Sequence, residues 1–233
     1  MALLRDTDRE NLRKELAQLQ APVRLVFFTQ ALNCEYCGLT KQVLEEIAGL
    51  ADKIQLKEYN FAIDKDAAAQ YKIARVPAIA VTRLEAPKLL VTGTEQPRER
   101  DYGIRYYGVP AGFEFAALVG DIRDVSAGES GLTEQSKIAL KQLKAPLHLQ
   151  VFTTPTLPHC PRAVRLAHQM AMESELITAD AVEASEYPEL SERYQVCGVP
   201  LTIANDKARI EGGLPEPMFI QKILQGVGIR AEG

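Results

Sequence analysis

The sequence predicts an α/β protein of two tandem units, each a central mixed β-sheet flanked by helices. Two observations carry this. The chain repeats itself: "LAQLQAP" (16–22) returns as "LKQLKAP" (140–146), displaced by 124 residues, and "YKIARVP" (71–77) returns as "YQVCGVP" (194–200), displaced by 123. A single-residue insertion or deletion reconciles the two displacements, and chance matches do not hold register over such a span. Within each repeat, apolar runs of strand length alternate with helical patterns, which implies a partly parallel sheet covered on both faces. The units are read as residues 1–124 and 125–233.

The first unit opens on a helix. In "TDRENLRKELAQL", Thr7 and Glu10 are spaced as a capping box, and Leu12, Leu16 and Leu19 fall on one helical face. The run "VRLVFFT" (23–29) is a buried strand. A helix runs from about the following Cys-x-x-Cys to Leu50, with Leu39, Val43, Leu44 and Ile47 on one side. "KIQLKEYNF" alternates as a strand, "DKDAAAQYKI" is a helix, and "AIAVT" is the strand after Val76-Pro77. A hairpin and the helix "AGFEFAALVGDI" complete the order α-β-α-β-α-β-β-α. The second unit repeats it with "LHLQVFT", "CPRAVRLAHQMA", "YPELSERYQV", "LTIA", "ARIEG" and "PMFIQKILQGV". Pro77 to Gly108 spans 31 residues and Pro200 to Gly213 only 13, so the first unit carries 18 extra, around 83–101. They read as a solvated extended hairpin, since loops tolerate insertion at low cost. The join falls in "DVSAGESG" (124–131), small and polar as linkers are.

Composition bounds the function. Of 233 residues, 46% are hydrophobic and 25% charged, enough for a proper core without staples. A net charge of −4 with no Lys/Arg block offers nothing to nucleic acid or an anionic membrane. "MALLRDTDRE" meets charge within five residues and lacks the apolar core of a secretory signal, and no later stretch is long enough to span a bilayer. The expectation is a cytoplasmic protein.

In "TQALNCEYCGLT", Cys34 and Cys37 stand two residues apart, just before a helix. A helix start offers a thiolate free N–H donors and the positive end of the helix dipole, which makes Cys34 the attacking sulfur and Cys37, one turn further in, the resolving one. Glu35 places negative charge beside the developing thiolate, raising its pKa and biasing the pair towards reduction. Tyr36 shields the sulfur and presents an apolar face. Structural zinc needs four ligands, and this half has no second Cys-x-x-Cys; His148, His159 and His168 all lie in the other half. An iron–sulfur cluster also lacks local cysteines. An inert buried pair would leave the helix-start placement unexplained. Redox chemistry is the reading adopted, with no cofactor beyond the Cys34–Cys37 disulfide itself.

The stretches "CEYC", "RVP", "GVP", "YGVPAGFEFAALVGDIRDVS", "TPTLPHCPRAVRLAH" and "EASEYPEL" resemble the tandem thioredoxin-fold protein disulfide oxidoreductases of thermophiles, also called glutaredoxin-like proteins, over nearly the whole chain. The resemblance implies two thioredoxin-like units, action on protein disulfides or thiols, and a thioredoxin reductase as a plausible partner. It implies that Pro77 and Pro200 are cis, with Pro77 opposite the cysteines, so that Val76 can pair with an extended substrate strand. Arg75, beside that loop, reads either as a group steadying a thiolate or acidic substrate, or as a solvated arginine. Glutathione-binding relatives usually carry Thr-Val-Pro and a Gly-Gly pair before the last helix. The first unit has neither, which argues against a glutathione site.

The family pattern fails at Leu157, which stands where the second unit would need its attacking cysteine. Cys160 holds the resolving position with nothing to resolve, and His159 has no neighbouring nucleophile to tune. Cys160 then reads as a small buried apolar residue. Cys197, three residues before Pro200, lies on the loop expected to face it; a Cys160–Cys197 disulfide would need Cα atoms within about 7 Å. Two rival functions stand beside disulfide exchange on proteins. One is an electron shuttle to a peroxiredoxin, since the N-terminal part of the flavoprotein of alkyl hydroperoxide reductases is similar, although there the surviving pair lies in the second unit. The other is a redox-inactive protein-binding module.

Overall fold

A computed structural model describes residues 5–86 and 98–229. The first unit comprises α1 (Asp6–Leu16), β1 (Val23–Thr29), α2 (Cys37–Ala48), β2 (Ile54–Asn60), α3 (Lys65–Gln70), β3 (Ala78–Glu85), β4 (Arg98–Tyr107) and α4 (Phe113–Ala127). The second comprises α5 (Glu134–Leu140), β5 (Leu147–Thr153), α6 (Cys160–Glu173), β6 (Ile177–Glu183), α7 (Pro188–Arg193), β7 (Leu201–Ala204), β8 (Ala208–Glu211) and α8 (Glu216–Gly226). Both follow the order expected from the repeat.

The strands form one eight-stranded sheet, β2-β1-β3-β4-β6-β5-β7-β8. In each unit the first two strands pair parallel and the last two add antiparallel. The units join where β4 pairs parallel with β6, from Ile104↔Ala179 to Tyr107↔Val182. Repeat-equivalent strands are written differently for this reason. The edge strand β2 reads "IQLKEYN", with Lys57 and Glu58 exposed, whereas the interior strand β6 reads "ITADAVE" and is buried almost throughout. Charge, lysine especially, on an open edge guards it against pairing with another chain, and an interior strand has no such need. One face of the sheet carries a core built with α2, α4, α6 and α8; the other carries a smaller core built with α3 and α7. Among the described residues no helix is long and apolar enough to cross a membrane.

Three local expectations need correction. The capping box is not used: α1 begins at Asp6 with Arg5 at the cap position and no side-chain cap, and Asp6 and Asp8 supply the negative charge that a helix start favours. Leu39 is not on the buried side of α2; Val43, Leu44 and Ile47 are, while Leu39 is 43% exposed. The expected join begins inside α4, which continues to Ala127 and stops at Gly128, whose φ of 75° gives the left-handed turn that glycine adopts freely. The flanks of the expected hairpin pair from Thr82↔Asp101 to Glu85↔Arg98, and its tip lies outside the described residues.

Helices α4 and α6, one from each unit, pack side by side, and their contact face is charged. Asp121 of α4 is buried. Its Oδ2 accepts from Tyr106 Oη (2.5 Å) and lies 2.6 Å from His168 Nδ1, while its Oδ1 accepts from Arg165. Burial opposes the charge, yet His168, Arg165 and Tyr106 outweigh it and hold the carboxyl below its usual range. Being ionised, Asp121 can only accept, so His168 Nδ1 carries the proton between them. Two helical turns nearer the start of α4, Glu114 is as buried but has no hydrogen-bond partner on either carboxyl oxygen among the described residues. Burial, then the charges of Asp121 and Glu183, push it up to about 8.

Asp121→Ala would strip Tyr106, His168 and Arg165 of their shared buried acceptor, with Asp124 still paired to Arg165, and the loss expected is about 3 kcal/mol in urea unfolding; a change below ~1 kcal/mol would show that this contact does not hold the units together. Glu114 makes the opposite demand. The folded protein keeps a proton that the unfolded chain releases near 4.5, so this residue makes stability fall as pH rises from about 4.5 to about 8, and level off above. Glu114→Gln removes that slope: its melting temperature should match wild type near pH 5 and exceed it near pH 8.5. An equal gap at both pH values would exclude this account.

Candidate active site

Strand register sets the site. Phe28 pairs with Ala78, Ala78 with Tyr107, Tyr107 with Val182 and Val182 with Phe152. The segments that leave the sheet just beyond these pairs therefore cluster at one end: 30–36, 74–77, 108–112, 183–187 and 154–159. Cys34, Glu35, Tyr36, Arg75, Val76 and Pro77 lie there, with Cys37 next in chain at the start of α2, together with two segments of the second unit.

Cys34 and Cys37 are joined by a disulfide, with Cα atoms 5.4 Å apart. Cys37 is the first residue of α2 and 5% exposed; Cys34 is partly exposed in the turn before it. Cys34 thus precedes the helix instead of opening it, because Asn33 takes a positive φ of 56° and Tyr36 holds the cap position. Thr40 secures this cap, donating to Tyr36 O from both its N–H and its hydroxyl, each at 2.9 Å. An accessible sulfur before a helix and a covered one at its first residue is the asymmetry that attack and resolution require.

Val76-Pro77 is cis, as is Val199-Pro200. The Pro77 carbonyl accepts from Gly108 N–H (3.2 Å) and, across the unit boundary, from the buried Tyr187 hydroxyl (2.9 Å). Val109 N–H donates to Glu186 Oε1 at 2.9 Å, and Phe113 N–H to Pro155 O at 3.0 Å. The second unit therefore holds the first unit's proline loop and the segment before α4 at three points. That segment passes so close that a Cβ on Gly112 (φ 56°) would lie 2.3 Å from Pro155 O, and one on Gly108 (φ 99°) 2.7 Å from Glu183 Cβ. Only glycine fits at either position.

Arg75 is partly buried. Its guanidinium lies 5.6 Å from the Tyr107 ring and 5.9 Å from the Tyr187 ring, bridging the units. The mouth of the site is acidic instead. Glu35 is exposed, and its charge is the largest influence raising the Tyr36 phenol, ahead of burial and of Glu186 and Glu183. Burial, with the charges of Glu183 and Glu35, pushes Glu186 up to about 7 despite its bond from Val109.

The second site keeps the shape of the first without its chemistry. His159 caps α6 with φ −89° and ψ −16°, close to the −93° and −4° of Tyr36. Leu157 is 40% exposed in the attacking position, and His159 is exposed beside it. Cys160 is fully buried, its thiol pushed up chiefly by burial, and Glu114 adds to the shift. The Cys160–Cys197 disulfide is not formed. Both thiols are free, because Cys160 is enclosed at the base of α6 while Cys197 faces outward from the loop before Pro200.

Tyr187, Glu186, Glu114 and Asp121 were not singled out from the sequence. Each lies in a stretch that carried the resemblance, "EASEYPEL" or "YGVPAGFEFAALVGDIRDVS", and a tyrosine or glutamate with no place in its own unit's pattern was the available signal.

Known proteins match this architecture. A family model of the thioredoxin domain matches residues 147–225. A protein disulfide oxidoreductase from Aeropyrum pernix k1 superposes with a TM-score of 0.83 at 30% identity, covering 98% of this chain and 96% of that one. The NTD_N/C domain of alkylhydroperoxide reductase AhpF from Enterococcus faecalis shares the fold, with a TM-score of 0.81 at 22% identity, covering 94% of this chain and 99% of that one. The F subunit of alkyl hydroperoxide reductase in Staphylococcus aureus is 27% identical over 193 residues, 82% of this chain and 32% of that protein; the chain spans about a third of the length of such relatives. Likeness along both units to the Aeropyrum protein, at an identity that reaches beyond shared fold, shows that this chain belongs to the tandem thioredoxin-fold family of protein disulfide oxidoreductases.

Proposed function

We propose that this protein exchanges dithiol for disulfide on protein substrates through Cys34 and Cys37, in the reducing direction. The observation that carries the reading is the pairing of a partly exposed Cys34 with a covered Cys37, at the sheet end that also bears the cis Val76-Pro77 loop. In the reduced protein the Cys34 thiolate attacks one sulfur of a substrate disulfide, forming a Cys34–substrate mixed disulfide and releasing the other substrate sulfur as a thiolate that takes up a proton. Cys37, deprotonated, then attacks the Cys34 sulfur; the second substrate sulfur leaves as a thiol, and the Cys34–Cys37 disulfide forms. Two electrons pass from the dithiol to the substrate. An external dithiol donor, such as a thioredoxin reductase, restores the dithiol by the reverse exchange, so no cofactor beyond the cysteine pair is required. Val76 offers backbone to an extended substrate strand, Pro77 shapes that loop, and Tyr36 covers one side of the sulfur. Glu35, next to Cys34 in the chain, disfavours a thiolate there, and a less stabilised thiolate makes a more reducing pair.

A second reading, electron transfer to a peroxiredoxin, draws on the likeness to the F subunit of alkyl hydroperoxide reductase over 82% of the chain. Reduction of insulin disulfides and of a purified peroxiredoxin, compared on one preparation, separates the two. Faster reduction of insulin supports the first, and rapid peroxiredoxin reduction with poor insulin turnover supports the second.

Cys34→Ser should abolish disulfide reduction, while Cys160→Ser, at a thiol with no attacking partner, should stay within about twofold of wild type. Full activity of Cys34→Ser would move the chemistry off Cys34, and absence of disulfide reduction in wild type itself would leave a redox-inactive binding module as the surviving account. Because the second site retains its backbone shape, Leu157→Cys should form a disulfide with Cys160. The oxidised, denatured variant would then titrate one free thiol where wild type titrates two. Three free thiols would mean that the second site has lost its geometry as well as its nucleophile.

A further inference from the structure

We infer that the polar cavity between the turn after α3 and helix α7, spanning the join of the two units, binds a small doubly charged oxyanion, a phosphate or a dicarboxylate, on Arg75 and Lys72. The site is separate from the cysteine pair and goes beyond the exchange reading.

The cavity, about 300 Å³, is at the small end of ligand pockets. Strand register sets its floor. Arg105 of β4 pairs with Asp180 of β6, and Asp180 with Gln150 of β5. Paired residues carry their side chains on the same face of a sheet, so these three form a polar row across the join. They are 3%, 7% and 4% exposed, and burying such a row costs desolvation. The fold does not demand it, because Val26, which Gln150 matches at the displacement of 124, is apolar and fully buried.

Each carboxylate around this floor already has its cation. Asp101 is held by two nitrogens of Arg105, at 2.8 and 2.6 Å, while Arg105 Nε donates to the Tyr71 carbonyl at 2.9 Å. Asp180 Oδ2 lies 2.6 Å from His148 Nε2, and Asp206 lies 3.7 Å from Arg193. Two cations of the lining are left over. The side chains of Lys72 and Arg75 have neither an ion pair nor a hydrogen bond among the described residues. Lys72 is exposed on the turn after α3. Arg75 lies over the Tyr107 and Tyr187 rings, which attract its charge but offer no oxygen to its N–H donors. Its charge is felt by His148 of the second unit, so the two face a common space. A phosphate or carboxylate supplies the pair of oxygens that a guanidinium fork accepts, and a second negative charge answers the ammonium. A cation would meet Lys72 and Arg75 unopposed, and a neutral molecule would leave both uncompensated.

Isothermal titration calorimetry of the full chain with inorganic phosphate and, separately, with succinate tests this, at an ionic strength held constant with chloride. At least one of the two should bind saturably, and the tighter one names the group recognised. Arg75→Gln should weaken that binding by about tenfold, and Lys72→Gln severalfold. Lys72→Gln, on an exposed turn, decides the matter should Arg75→Gln fail to fold. The chain has three histidines, so their imidazole resonances can be followed one by one during the titration. The anion should move His148 and leave His159 and His168 in place. No saturable binding of either anion, equal affinity in wild type and the variants, or a shift at His159 in place of His148 would overturn the proposal. None of these readouts depends on disulfide reduction, so exchange at Cys34 stands or falls on its own assays.

Discussion

The parallel ladder between β4 and β6 is the constraint on which the rest of the molecule depends. Four residue pairs turn two sheets into one and bring the 183–187 segment of the second unit beside the proline loop of the first. Tyr187 then reaches the Pro77 carbonyl and Glu186 reaches Val109 N–H. The join is head to tail: β4 corresponds in the repeat to β8, and β6 to β2, so β8 is left as a free edge among the described residues. The Pro200 carbonyl accordingly keeps the bond from Gly212 N–H that matches Gly108 on Pro77, but no described strand lies beyond β8 to supply a counterpart of Tyr187. The two proline loops are alike in sequence and unequal in support.

The same asymmetry governs charge. Asp121 and Glu114 lie on one face of α4, both buried, and burial alone would push both towards the neutral acid. Arg165, His168 and Tyr106 converge on Asp121 and reverse that tendency, whereas Glu114 faces Cys160 and the charges of two further carboxylates. Donors from the other unit therefore decide which carboxylate is a bond between units and which is a cost. The ionised one holds α4 to α6, and the neutral one lies near Cys160.

Much of this was legible in the residues themselves. The repeat fixed the element order because duplication preserves strand and helix patterns, and "VRLVFFT" matched β1 residue for residue since a buried strand is nearly uniformly apolar. Cys34 and Cys37 were legible because their spacing has few other uses. What pattern could not convey was contact between units. Arg75 lies against Tyr107 and Tyr187, and nothing local to "ARVP" says so. Leu39 satisfies a helical stripe by spacing, yet where a neighbour would cover it there is a groove. The contrast between "IQLKEYN" and "ITADAVE" did hold the missing information, since only an interior strand dispenses with lysine and glutamate at its centre.

A damaged copy is then no paradox. Leu157 offers no nucleophile, and it lies outside the contacts through which that unit supports the first. Those contacts run through Tyr187, Glu186, Pro155 and Arg165, and a substitution at Leu157 leaves each of them in place. Removing the second unit, by contrast, would leave the Pro77 carbonyl with Gly108 N–H alone, expose β4 from Ile104 to Tyr107 and strip Asp121 of Arg165 and His168. The position that matches Cys34 and the contacts that support the first unit are carried by different residues of the second unit. An exposed leucine in the position that matches Cys34 is tolerable on stability grounds.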